Sequence, residues 1–356
     1  MAIHISGIQQ VGIGIPNVHE AWKWYRKHFG MDVSIFEEAA EANLMLPYTG
    51  GKPHQRHAIL AVNVQGGGGM EIWQYTSRTP ELPKFEIQAG DLGIYAAKVR
   101  SRHVPTALAH LKSLGAEVLS ETQENPAGYA HVWVKDPYGN LFQVEEAQDE
   151  FASGPHPTGG MLGAVLGVKD MDTSLKFYGE LLGYDEVLFD ESGEFHDLAH
   201  LPGGKGKFRR ALLTHSKARS GPFSRIFGAS RIELLQALDR TPRPIFENRF
   251  WGDRGFIHLC FDIQGMDELR EKCKQAGFPF TVDSKNAHRE GFDMGEAAGH
   301  FSYIEDPSGA LIEFVETQKV PMMKKIGWYL DLRKRNPAKP LPDWMLKTLK
   351  FNRVKD

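Results

Sequence analysis

Along the chain the spacing of apolar positions switches from every second residue to every three or four and back, four times over. Residues 8–15 alternate as a buried strand, and residues 18–29 follow with helical spacing. Asn17 stands at the helix N-cap with Glu20 inside the first turn, and Gly30 stands where the helix must stop. Two further strands are predicted at 57–64 and 70–75, with Gly66 to Gly69 between them as a flexible hairpin tip. No Gly-Lys-Ser/Thr and no helix follow these glycines, so they are not read as a phosphate cradle. A second module opens at 91–95, continues as a helix over 104–114 ended by Gly115, and closes with a hairpin of 130–134 and 141–145.

The third and fourth modules repeat the first and second. Trp22-Lys23-Trp24-Tyr25, followed by Phe29-Gly30, returns 153 residues later as Leu175-Lys176-Phe177-Tyr178, followed by Leu182-Gly183. Asp136-Pro137-Tyr138-Gly139 returns after 170 residues as Asp306-Pro307-Ser308-Gly309. Strands are predicted at 161–168, 208–214, 231–237 and 256–263. A helix over 266–276 then leads to a hairpin joining 300–304 to 311–316. A repeat of this length fixes the architecture before any local argument. Each module reads β-α-β-β-β, and the fold class is α+β. The boundaries expected are a first domain at 1–148, a polar, turn-rich linker at 149–160, a second domain at 161–318 and a C-terminal extension at 319–356.

Composition narrows the classes. The net charge of −3 gives no reason to expect nucleic acid, and no apolar run approaches the length of a membrane span. The extension holds eleven Lys/Arg against three Asp, so it is expected to pack on the acidic remainder of the chain. It carries two short possible helices, 322–333 and 343–350, and Trp328, Tyr329, Trp344 and Met345 as residues to be covered. Two cysteines, Cys260 and Cys273, are too few for a disulfide framework. With no signal-peptide pattern at Met1-Ala2-Ile3-His4, the reading is cytoplasmic, acting on a small molecule, as a monomer or homodimer.

These modules, with a Phe-Tyr helix and an Asp-Pro-x-Gly hairpin before Ile-Glu, resemble the vicinal oxygen chelate superfamily over roughly residues 5–318. That superfamily includes glyoxalase I, methylmalonyl-CoA epimerase, extradiol dioxygenases and bleomycin-resistance proteins. The resemblance implies two glyoxalase-like domains of curved mixed sheets, with metal ligands drawn from the first and last strands of paired modules. The positions concerned are Gln10 and Glu71 in module one, Asp91 and Gln143 in module two, Gly163 and Glu233 in module three, and His258 and Glu313 in module four. Pairing neighbours gives Gln10, Glu71, Asp91 and Gln143, or else Glu233, His258 and Glu313. Pairing the outer modules gives Gln10, Glu71, His258 and Glu313, which is similar to the set of zinc-type glyoxalase I, and is favoured. It leaves modules two and three as a degenerate site with Gly163 as its gap.

The outer set suits one divalent ion, zinc first, with Ni, Co, Mn or Fe as alternatives. The resemblance then implies a lyase or isomerase acting through a metal-stabilised enediolate, with Glu313 as base and Glu71 as a second proton-handling group. Arg254-Gly255-Phe256-Ile257-His258 resembles a glyoxalase I segment whose arginine holds a substrate carboxylate. The companion arginine on the first strand is replaced here by Gly14, which tells against glutathione. Two alternatives stand beside this reading. One is an extradiol ring-cleaving dioxygenase, opposed by Gly163 where its first His belongs. The other is a ligand-sequestering protein with Trp133, Phe250 and Trp251 as groove walls.

Overall fold

The computed structural model describes residues 2–286, 292–293, 298–323 and 328–354. Module one comprises β1 (His4–Gly14), α1 (Val18–Phe29), β2 (Val33–Glu41), β3 (Gln55–Val62) and β4 (Gly69–Tyr75). Module two comprises β5 (Gly93–Ser101), α2 (Val104–Ser113), β6 (Glu117–Val118), β7 (Gln123–Glu124), β8 (Ala130–Lys135) and β9 (Leu141–Glu146). Module three comprises β10 (Met161–Gly167), α3 (Met171–Leu182), β11 (Glu186–Gly193), β12 (Phe208–Thr214), α4 (Ser224–Phe227) and β13 (Arg231–Ala237). Module four comprises β14 (Gly255–Gln264), α5 (Met266–Gln275), β15 (Val282–Asp283), β16 (Phe292–Asp293), β17 (Ala298–Glu305) and β18 (Leu311–Met323). The extension adds β19 (Trp328–Asp331) and α6 (Asp343–Lys347).

The strands form two mixed sheets, one from the outer modules and one from the inner two. In the first, β1 pairs antiparallel with β14, so modules one and four share a sheet of order β15-β17-β18-β14-β1-β4-β3-β2. In the second, β10 pairs with β5, giving β11-β12-β13-β10-β5-β9-β8-β6 from modules two and three. One continuous hydrophobic core takes residues from both sheets and from α1, α2, α3 and α5, including Val11, Tyr25, Leu111, Leu166, Tyr178 and Leu269. Each sheet also carries a separate cluster, around Trp73 and Trp251 in the first and around Trp133 and Phe195 in the second.

The helix boundaries follow the capping chemistry. Asn17 accepts the N–H groups of His19 and Glu20, and Asp170 accepts that of Thr173. Gly30 and Gly183 close α1 and α3 at φ 66° and 70°, a left-handed conformation that favours glycine. The two repeated motifs meet each other. Tyr25 on α1 donates to Asp136 Oδ2 at 2.6 Å, and Tyr178 on α3 donates to Asp306 Oδ2 at 2.9 Å. The other oxygen of each aspartate takes the N–H groups of its own turn, from Tyr138 and Asn140 or from Ser308 and Ala310. The sheets thus join module one to four and two to three, while the Tyr–Asp bonds join one to two and three to four.

Two expectations are corrected. Gly66 to Gly69 do join β3 to β4 as a hairpin, but the connection is buried rather than a flexible tip: Gly67 N–H donates to Ile226, Gly160 N–H to Gly66, and Gly68 N–H to Met161. Gly66 and Gly67 have φ of 121° and 102°, and a Cβ on Gly67 would come within 2.8 Å of Arg100 Nε. The glycines serve close approach between modules rather than mobility. The possible helix over 322–333 is instead strand at 322–323 and 328–331 and a 3-10 turn from Leu332, because β18 runs on to Met323 and β19 pairs back on it, Val320 opposite Leu330. Residues 324–327 of that helix lie outside the described residues. The second possible helix is α6 followed by a 3-10 turn over Thr348–Asn352. The extension does pack on the body: Leu341 N–H donates to Pro222, Val354 N–H to Asp32, and Arg225 pairs with Asp343. Met345 is buried there, but Trp344 is 66% exposed and needs no cover. No helix among the described residues is long and apolar enough to cross a membrane.

Two predictions follow from buried groups. Tyr25→Phe and Tyr178→Phe each leave a buried carboxylate short of a donor, and each should cost about 1–3 kcal/mol in urea unfolding. Asp262 on β14 is fully buried, and burial, only partly offset by the Ser6 and Thr317 hydroxyls, pushes its carboxyl up to about 8. An acid raised in the folded state adds stability that is complete below its unfolded pKa of about 4 and is lost as pH rises towards the folded value. Between pH 4 and 8 the protein should therefore lose stability relative to Asp262→Asn, on the order of a few kcal/mol, in unfolding curves run at each pH.

Candidate metal centre

The seam between β1 and β14 sets the site. Its register places Gln10 opposite Cys260 and Gly12 opposite His258, while β4 lies on the other side of β1 with Glu71 beside Gly12. On the far side of β14, β18 brings Glu313 beside Cys260. Four adjacent strands, β4-β1-β14-β18, thus present Glu71, Gln10, His258 and Glu313 towards one point. Strand alternation puts all of them on the face opposite the shared core.

The side chains converge. His258 Nε2 lies 3.1 Å from Glu71 Oε2 and 3.3 Å from Glu313 Oε2. Gln10 Nε2 donates to Glu71 Oε2 at 3.1 Å and to Glu313 Oε2 at 3.4 Å. One ligand atom from each of Glu71, His258 and Glu313 lies within 4.8 Å of the others. His258 is fully buried, whereas the Glu71 and Glu313 side chains keep 13% and 8% exposure, so the cluster opens to solvent on its carboxylate side.

The imidazole is held on every side. A Cβ on Gly12 would lie within 2.7 Å of three His258 ring atoms, so only glycine leaves room for the ring. Trp251 stacks at 6.1 Å with an interplanar angle of 23°, and Tyr303 Oη lies 3.4 Å from His258 Nδ1. Nε2, between the carboxylates, donates to them when it carries a proton; with a cation in that proton's place and the Nδ1 proton directed to Tyr303, it would offer the lone pair that a metal ligand requires. Burial lowers the His258 pKa, but Glu313 and Glu71 outweigh it and the net direction is up. For Glu71, burial is overcome by the hydrogen bond and charge of His258, and its pKa falls. Glu313 moves up, through burial and the like charge of Glu71.

The donor set fits a divalent cation. Two carboxylates balance a dication, and one imidazole with oxygen donors suits a borderline first-row ion. Gln10 Oε1 is buried without a partner while Nε2 faces the carboxylates. Turning that amide by half a turn satisfies the orphaned oxygen at a cation and removes the need for an N–H donor.

The other sequence candidates fall elsewhere. Asp91 precedes β5 and is held by Arg240 and by the N–H groups of Gln88 and Arg243. With Gln143 it belongs to the second sheet, so the neighbour-paired set of Gln10, Glu71, Asp91 and Gln143 is not assembled. Glu233 likewise lies on the second sheet, away from His258 and Glu313. Arg254 is half-buried just before β14, with its Nε buried and unpartnered; no hydrogen bond joins it to the four-residue cluster among the described residues. Cys260 shares the His258 face, but its thiol is buried, pushed up by burial and Glu313, and donates to Gln9 Oε1 at 3.6 Å. Sequence reading passed over Gly12 and Tyr303. Gly12 had a signal, since a glycine inside an apolar strand marks a close approach. Tyr303 had none, because its partner is 45 positions away.

Gly12→Ala must displace the His258 ring. It should lower divalent-metal affinity by about 10–100-fold while leaving the far-ultraviolet circular dichroism unchanged, with binding measured by competition against a chromophoric chelator.

A family model described as the Glyoxalase/Bleomycin resistance protein/Dioxygenase superfamily matches residues 7–144 and 160–314. No curated protein sequence matches the chain. Among solved structures, a single-residue variant of glyoxalase I from Zea mays aligns at 14% identity, covering 88% of this chain and 92% of that one, with a TM-score of 0.54. A Bacillus subtilis subsp. subtilis protein described as a candidate dioxygenase aligns at 14% identity, covering 88% and 86%, with a TM-score of 0.56. At such identities the likeness concerns the fold.

Proposed function

The chain belongs to the glyoxalase/bleomycin resistance protein/dioxygenase superfamily, and from that premise we propose that it is a metal-dependent enzyme of the glyoxalase-like lyase or isomerase kind. The observation that carries the reading is the convergence of Gln10, Glu71, His258 and Glu313 on one point, with Gln10 Oε1 left without a partner. These four residues would hold one divalent ion, zinc by preference and Ni, Co, Mn or Fe as alternatives. The bound ion supplies Lewis-acid polarisation of a substrate carbonyl.

The remaining work falls to the chain's own residues. Glu313 takes a proton from the carbon beside the carbonyl and returns it to the neighbouring carbon on the same face; Glu71, across the cluster, is the second proton-handling group, which delivery from the other side would require. Trp251 and Tyr303 hold His258 in place and keep water from its buried side. Arg254, with its unpartnered Nε, is the candidate for a substrate carboxylate. The substrate class is a small molecule with vicinal oxygens. The dioxygenase reading is disfavoured because His258 is the sole imidazole in this cluster among the described residues.

Elemental analysis of protein purified without added metal tests the reading, beside His258→Ala and Glu313→Gln. About one equivalent of a borderline divalent ion is expected, lost from His258→Ala. With metal restored, Glu313→Gln should slow solvent deuterium exchange into 2-oxoaldehyde–thiol adducts or 2-hydroxy acids by about 10²–10⁴-fold. One equivalent of iron with oxygen uptake on catechols would put the dioxygenase first. Failure to bind any metal would leave a ligand-sequestering protein.

A further inference from the structure

The second sheet repeats the register of the first, so each position of the metal centre has a counterpart. The five-pair ladder from Gln10–Gly69 to Gly14–Trp73 corresponds to that from Gly163–Arg231 to Gly167–Leu235. Gly163 therefore stands for Gln10, and Glu233 for Glu71. Across the seam, Ile8 opposite Phe261 corresponds to Met161 opposite Val99. Counting back along β5 puts Lys98 in the place of Cys260 and Ala96 in that of His258. The pairing of Lys98 with Gln143 then matches Cys260 with Glu313. Two of the four donors are thus missing, at Gly163 and Ala96.

A cation is nonetheless present. Lys98 Nζ lies 2.6 Å from Glu145 Oε2, 2.6 Å from Glu233 Oε2, and donates to Gln143 Oε1. All four side chains are fully buried. The outer carboxylate oxygens are taken by arginines: Arg210 Nε donates to Glu233 Oε1 at 2.6 Å and Arg231 Nη1 to Glu145 Oε1 at 2.7 Å. Arg210 also grips Asp197 through both carboxylate oxygens at 2.8 Å. Lys98, Arg210 and Arg231 balance Glu145, Glu233 and Asp197, so the network is neutral with Lys98 charged and one charge negative without it. Burying that uncompensated negative charge is costly, and it attracts a cation into the oxygen donors left behind, a dication bringing the network to one positive charge.

We propose that the Lys98 ammonium is a covalently held cation occupying the position of a metal ion, and that beneath it lies a latent oxygen-donor site, built from Gln143, Glu145 and Glu233, for one hard divalent cation. The parallel with the first centre rests on the metal reading above; the donor geometry around Lys98 does not. All-oxygen donors select an ion such as Mn²⁺ over softer ones. Of the two sites related by the repeat, the first is therefore the one open to metal and substrate, and the replica is closed by its own side chain.

The experiment is made in a His258→Ala/Glu313→Ala chain, which blanks the first centre. Into it go Lys98→Ala, which removes the charge and makes room, and Lys98→Met, which removes the charge and fills the space. Mn²⁺ binding is read by electron paramagnetic resonance and by thermal unfolding with and without Mn²⁺. The Lys98→Ala chain should gain about one equivalent of Mn²⁺ over its parent and show a melting temperature rising with Mn²⁺. Lys98→Met should gain none, and Glu233→Gln added to Lys98→Ala should abolish the gain. If Lys98→Ala does not fold alone, refolding in Mn²⁺ should recover it. A folded Lys98→Ala chain with no gain at millimolar Mn²⁺, or an unfolded one that Mn²⁺ does not rescue, overturns the proposal. Because the increment over the parent decides the matter, residual metal in the parent counts against the first-centre reading alone.

Discussion

The antiparallel pairing of β1 with β14 is the constraint on which the rest of the structure depends. It joins the first module to the last and places Gly12 across from His258, where the absent side chain leaves space for the imidazole. The strands beside this seam, β4 and β18, then have no choice but to carry Glu71 and Glu313 to the same point. A slip of one residue at the seam would turn the donors of one module to the opposite face from those of the other, into the apolar core. The hydrophobic alternation that fixes the core also fixes the donor geometry.

The modules form a closed ring of contacts. Sheet hydrogen bonds link one to four and two to three; Tyr25–Asp136 and Tyr178–Asp306 link one to two and three to four. The two kinds of link differ in strength and purpose. The seams bury long runs of backbone, whereas each Tyr–Asp bond sets the angle at which a helix meets the hairpin of its neighbour. With the seams as hubs, two centres of the same design face away from a common core. One gathers carboxylates around an imidazole, and the other gathers them around an ammonium.

Much of this was legible in the sequence where the signal is local or repeated. Asn17, Asp170, Gly30 and Gly183 mark helix ends by chemistry that acts over a few residues. The repeated Asp-Pro-x-Gly hairpins gave the register of the last strand in modules two and four, hence the location of Gln143 and Glu313. What was misjudged depended on distant neighbours. Gly66 to Gly69 look like a mobile tip until the partner backbone at Gly160 is placed against them. Residues 322–333 have helical spacing, but the exposed edge of β18 offers pairing that overrides it. Asp91 sits near the start of a strand in sequence, yet its carboxylate closes a turn. Lys98 looks like an ordinary strand lysine, because the partners on β9 lie 45 and 47 positions away and Glu233 farther still.

The seam also has a consequence for the order in which the protein can be made. β1 comprises residues 4–14, and its partner β14 comprises residues 255–264. At ribosomal rates of about 5–20 residues per second, the first strand waits on the order of 10–50 s for the strand that completes its sheet. During that interval module one has an apolar strand with an open edge, the kind of surface that invites pairing with other chains. Modules two and three, adjacent in sequence, can close their own sheet in the meantime. The inner pair is thus a scaffold finished early, and the cluster of Gln10, Glu71, His258 and Glu313 is assembled last, when the chain returns to its beginning.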